Sequence, residues 1–278
     1  MRRNVSVEEI SDGRFYRAAD LVKIGTGGCR NCHDCCSLGP VILLDPYDVY
    51  ELERGLGKPF SQQLERTAEL ILSDGLILPS LKMQTDAAGR EKMECPWLDG
   101  EGRCAIHSFR PGICRLYPLG RNWENGDFSY ILQVGECTHC DGSKVKIKKW
   151  LGIPDLSSYE EFCRLWHSFL EKARQTADSL EAETISGGRA AADGKLSGAR
   201  GNSGQEDTAG AGADPGKAAD HPAGNPVRRQ ICMDLLKRFY LTPWDTETSF
   251  YEQFRERLSE GLRALGYSGS AGALWERK

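Results

Sequence analysis

Nowhere in its 278 residues does this chain hold 18 consecutive apolar positions, so no transmembrane helix is expected. Met1 to Ile10 carries two arginines with no apolar run behind them, which predicts no secretory signal and a cytoplasmic protein. An excess of one charge is lacking too. Lys plus Arg total 36 against 40 for Asp plus Glu, a net charge of −4. That balance argues against nucleic acid or an anionic membrane as partner and leaves a protein partner open. Familiar catalytic signatures are missing as well. There is no G-x4-G-K-[ST], no H-E-x-x-H and no G-x-S-x-G. Gly25-Thr-Gly27-Gly28 lacks the third glycine of a dinucleotide loop, and a radical-SAM spacing would need a cysteine where Gly28 stands. No catalytic residue is identifiable from such motifs.

Cysteine is what the chain has in excess: eleven in all. In a reducing compartment that number points to a metal or redox site ahead of a disulfide framework. Nine fall between residues 29 and 140, in four groups. The first is Cys29-Arg-Asn-Cys32-His-Asp-Cys35-Cys36. Cys95-Pro96-Trp97 and Gly102-Arg-Cys104 form the second. The third is Arg110-Pro-Gly-Ile-Cys114-Arg-Leu-Tyr117-Pro118, and the last Cys137-Thr-His139-Cys140. A Cys-x2-Cys loop lets two thiolates meet one metal while loop amides face the sulfurs. Cys29/Cys32, Cys32/Cys35 and Cys137/Cys140 all have that spacing. Cys163 and Cys232, each on an expected amphipathic helix, read as small buried hydrophobes.

The run C-x2-C-x2-C-C, the later G-x-C and the stretch R-P-x-x-C-R-x-Y-P resemble the zinc- or iron-chelating cysteine-cluster family, also labelled YkgJ-like. The resemblance runs from about Gly27 to Trp166. It implies a metal-chelating domain that looks like the one in flagellin lysine N-methylases. The last 52 residues fall outside the pattern.

The candidate metal ligands are Cys29, Cys32, Cys35, Cys36, Cys95, Cys104, Cys114, Cys137 and Cys140, and the expected cofactor is an iron–sulfur cluster or zinc. Zinc needs four cysteines, or three and a histidine, and His33, His107 and His139 lie close to cysteines. Nine thiols exceed one four-ligand centre, so one centre with spare thiols and two neighbouring centres both stay open. Adjacent Cys35 and Cys36 would point to opposite sides of an extended segment. Cys36 could then serve a second centre with Cys137 and Cys140. Arg110, Arg115 and Arg121 bracket Cys114 and could offset thiolate charge. His167 reads as a packing residue. Three functions fit: a redox or enzyme-supporting metal protein, a zinc-stabilised interaction module, or a methyltransferase-like protein by analogy with the flagellin enzymes.

The expected fold class is α+β: a small irregular cysteine-rich core with short strands, flanking helices and C-terminal helices. Residues 1–185 form the metal-binding domain. Ser186–Pro226, with ten Gly and ten Ala in 41 residues, is expected to be a disordered linker. Residues 227–278 should supply helices that pack on the first domain. Val41–Leu44 is a strand candidate, and Asp45-Pro46 starts a helix toward Arg54. Ser61–Leu72 has helical spacing. Leu76–Leu78 and Leu81–Met83 read as strands split by Pro79. Asn125-Gly126 marks a hairpin between Leu119–Trp123 and Phe128–Val134. Ser157 or Ser158 should cap a helix over Tyr159–Glu183, and Val227–Tyr240 and Phe250–Leu265 should be helices.

Overall fold

The computed structural model describes residues 6–25, 29, 34–36, 41–64, 66–84, 94–137, 139, 142–193 and 225–268, with backbone alone at 34 and 184–193. In chain order these residues form α1 (Val7–Ile10), β1 (Leu21–Lys23), α2 (Pro46–Leu56), β2 (Ala68–Ser73), β3 (Leu76–Leu81) and α3 (Gly112–Leu116). There follow β4 (Leu119–Glu124), β5 (Asp127–Leu132), β6 (Lys144–Lys146), α4 (Ile147–Leu151), α5 (Leu156–Asp193), α6 (Pro226–Leu236) and α7 (Phe250–Ala264). The strands pair antiparallel, β1 with β6, β2 with β3 and β4 with β5, so the fold is α+β.

Local chemistry explains the best-formed elements. Asp45 and Asp48 make a reciprocal capping box, Pro46 occupies the first turn, and Gly57 ends α2 in the left-handed region at φ 63°. Asn125 and Gly126, both at positive φ, turn β4 into β5. Two expectations change nearby. The helical spacing over Ser61–Leu72 gives a short 3-10 turn at Phe60–Gln62 and then strand β2. Asp74-Gly75, both at positive φ, closes β2 onto β3 as a two-residue hairpin. Pro79 does not split β3 either. It lies opposite Leu70, an even number of steps from a non-hydrogen-bonded pair, where the ladder needs no N–H. Val41–Leu44 contributes only a bridge from Leu43 to Ser80, with the Leu44 N–H donating to the Pro79 carbonyl (2.9 Å).

Helix α5 begins earlier and ends later than expected. Its cap is Asp155, whose Oδ1 accepts from Ser157 Oγ (2.8 Å) and whose carbonyl accepts from Tyr159 N (3.1 Å). It runs to Asp193, past the expected linker start at Ser186; residues 194–224 of that segment lie outside the described residues. α6 stops at Leu236, and a π-turn over Lys237–Leu241 continues it.

The buried stripe of α5 meets α7 and the π-turn through aromatic edges. Trp166 lies 4.9 Å from Phe239, and Phe162 lies 4.8 Å from Phe254. Polar bonds fasten these C-terminal elements to the earlier chain. Tyr240 Oη donates to the Leu44 carbonyl (2.9 Å), Trp244 N donates to Glu53 Oε2 (2.8 Å), and Arg228 bridges Asp178 and Glu181. His167 stacks on Trp123 at 3.9 Å, a packing contact.

Candidate metal centre

Backbone bonds draw the cysteine groups toward one another. Asp34–Cys36 is a 3-10 turn, and the Cys36 carbonyl accepts from Cys95 N (2.9 Å), tying the first group to the second. The second group is a tight loop closed by the Leu98–Cys104 bridge and by Ala105 N donating to the Trp97 carbonyl (2.8 Å). The third group enters α3 through Arg110-Pro111-Gly112. There the Gly112 N–H donates to Asp48 Oδ1 (2.7 Å), so the capping box of α2 also holds the start of the Cys114 helix. A Cβ at Gly112 would stand 2.1 Å from Tyr159 Oη, which explains glycine at that position. In the fourth group Tyr117 Oη donates to the Glu136 carbonyl, one residue before Cys137.

The thiols perturb one another. Burial pushes Cys114 well above the usual thiol range, and the charges of Cys95, Asp48, Cys104 and Cys35 add to it. Cys95 is pushed up to about 11, by burial first and then by Cys104 and Cys35. Burial also raises Cys104, with Cys29 and Cys35 adding while the Ile106 N–H and Arg110 oppose. For Cys35 the largest cause is its hydrogen bond with Cys36, followed by burial and the Cys36 charge, against the pull of Arg110. The fields of Cys35 and Cys137 both reach Tyr117, which burial raises most.

Thus Cys29, Cys35, Cys36, Cys95, Cys104 and Cys114 act on one another, and Cys137 approaches the same region through Tyr117. Cys32, Cys140 and His33 lie outside the described residues. Among the described residues no three Cys, His, Asp or Glu side chains are close enough to hold an ion. Cys163 and Cys232 are 4% and 1% exposed on α5 and α6, and Cys232 Sγ accepts from Ile77 N (3.3 Å).

Three expectations are corrected. Cys35 and Cys36 do not diverge, because the 3-10 turn replaces the extended backbone on which that reading rested and the two thiols hydrogen-bond. Arg121 turns away from the cysteine groups: Nη2 donates to Tyr159 Oη (3.2 Å), its charge acts on Asp45 and Asp48, and it lies over Phe128 and Tyr159. His107 has its Nε2 against Arg110 Nη1, so that nitrogen is occupied. Burial, Arg110 and Arg115 all lower its proton affinity. Asp48 and Tyr159, which hold Gly112, have no signal in cysteine spacing. Asp48 shows in the sequence only as the third residue of a helix cap.

The donor chemistry fits a thiophilic metal. Half-buried thiols in fields of their own sign retain their protons, whereas a bound cation reverses that balance and deprotonates them. No curated protein and no solved structure matches the chain. Residues 28–146 match the CxxCxxCC family model, a proposed zinc- or iron-chelating domain. The match takes in all nine clustered cysteines, and this stretch of the chain is therefore a CxxCxxCC domain.

Proposed function

We propose that this protein binds a metal as an iron–sulfur cluster or a zinc ion through cysteines of its first three groups. Cys29, Cys32 and Cys35 supply three ligands, and Cys95, Cys104 or Cys114 returns from the later groups with the fourth. The observation that carries the reading is the backbone bond from Cys95 N to the Cys36 carbonyl (2.9 Å), which ties the first cysteine group to the loop that holds Cys95 and Cys104. The hydrogen-bonded Cys35–Cys36 pair brings Cys36 into the same neighbourhood, so a second centre with Cys137 and Cys140 is not needed to employ it. His107 Nε2 faces Arg110 and is not offered to the site. When bound, zinc would cross-link the loops and an iron–sulfur cluster would add one-electron chemistry. The chain's own residues do the rest: Asp48 and Gly112 set the Cys114 turn, and Arg110 places positive charge beside Cys35 and Cys104.

Anaerobic purification followed by elemental analysis and absorption near 400 nm tests this. Iron with a visible band assigns a cluster, and colourless protein with zinc assigns a zinc site. Protein that takes up neither metal, even after reconstitution with iron and sulfide or with zinc, would refute the reading.

A further inference from the structure

The β1/β6 pair has one face in the core and one in solvent. Val22 and Val145 point inward at 0% and 5% exposure. Strand alternation places Leu21, Lys23, Lys144 and Lys146 on the other face, and all are exposed. The register sets Lys23 directly opposite Lys144 and Leu21 opposite Lys146. Like charges placed directly opposite destabilise a strand pair. The chain passes at once into α4, whose Lys148 and Lys149 are exposed too. Among the described residues none of these five lysines has an acidic partner at ion-pair distance. Asp20, next to β1, has its carboxylate on the Arg17 N–H (2.7 Å). In a chain of net charge −4, folding alone does not account for five cations in one place with no acidic partner among the described residues.

We propose that this lysine face docks an acidic protein surface. Charge complementarity names the partner's chemistry, and Leu21, 53% exposed on the same face, offers the apolar contact that protein interfaces use. The sheet face has ammonium groups only. It lacks the guanidinium forks and stacking rings with which nucleic-acid surfaces hold phosphates and bases. Trp150, the nearby ring on α4, spends its N–H on the Tyr117 carbonyl (3.2 Å). That bond fastens α4 to the segment that follows Cys114, so a docked partner would sit close to the cysteine groups. The proposal stands whether or not those thiols carry metal.

The probe is a fluorescein-labelled ten-residue glutamate peptide, titrated with the full-length chain by anisotropy at low and at physiological salt. The expected result is saturable binding that weakens with salt. It should fall about tenfold in a triple Lys23→Glu, Lys144→Glu, Lys146→Glu variant, at a few tenths of a kcal/mol per exposed contact. A control triple of exposed residues elsewhere, Lys58→Glu, Lys82→Glu and Lys237→Glu, changes net charge equally and should bind as the parent does. Circular dichroism confirms that both triples are folded. If the two triples lose binding equally, only net charge is at work and the proposal fails. It fails also if the peptide does not bind at low salt, or if single-stranded RNA of equal charge binds more tightly and depends on the same three lysines.

Discussion

Around Phe162 the packing is aromatic and closed on every side; around Cys114 it is sulfur, half-buried, in fields of its own sign. Phe162 is 1% exposed and has Tyr159, Phe250 and Phe254 within 5.9 Å. Dispersion and apolar burial stabilise that region with nothing added. The cysteine region has short turns, bridges and thiols whose ionised form is opposed by burial and by one another. One region is complete as a protein core, and the other is rich in thiols, which are soft ligands for metal ions.

The largest expected effect sharpens this contrast. Phe162→Ala should cost about 3–5 kcal/mol in urea unfolding, and by the same amount with and without a chelator. A loss that depended on metal would merge the two regions into one. Metal removal itself should cost about 3 kcal/mol when free metal stands at about a hundred times its dissociation constant. An apo protein with an unchanged urea midpoint would make the cysteine region self-sufficient.

Gly112→Ala probes the junction between the regions. The new methyl group would meet Tyr159 Oη, which belongs to a fully buried side chain, so a cost of about 1–3 kcal/mol and a weaker hold on metal are expected. Unchanged metal affinity would show that α3 places Cys114 without help from the core.

The smallest effect is a pH dependence. Burial raises Asp45 from 3.8 to about 6, against the opposing charge of Arg121, and raises Asp48 in the same direction. As pH climbs, the unfolded chain ionises first, so this carboxyl withdraws stability between about pH 4 and pH 6. Asp45→Asn keeps a capping oxygen and should gain on the parent across that window. Urea midpoints at pH 4 and pH 7 check the sign; a difference that does not grow with pH would contradict it.

Local signals were the legible ones. Asn125-Gly126 announced its hairpin, and Asp45-Pro46 its helix, because each turn or cap is fixed by residues adjacent in sequence. The Ser61–Leu72 reading failed because Leu64, Ala68 and Ile71 fit helical spacing, whereas the turn at Asp74-Gly75 sets the pairing. Cysteine spacing picked out the groups of the candidate site. It could not show that Cys35 and Cys36 face each other, since that depends on a 3-10 turn, or that Asp48 reaches 64 residues along the chain to Gly112. Arg121 misled because nearness in sequence to Cys114 says nothing about which side of β4 its side chain takes.

Metal bound per chain in a series of single serine variants tests the central claim most directly. Cys32→Ser, Cys35→Ser and Cys114→Ser should each lose most of the metal, while Cys163→Ser and Cys232→Ser, both deep in the helical region, should retain it. Full metal in the Cys32 and Cys114 variants, or loss in the Cys163 and Cys232 variants, would contradict the account.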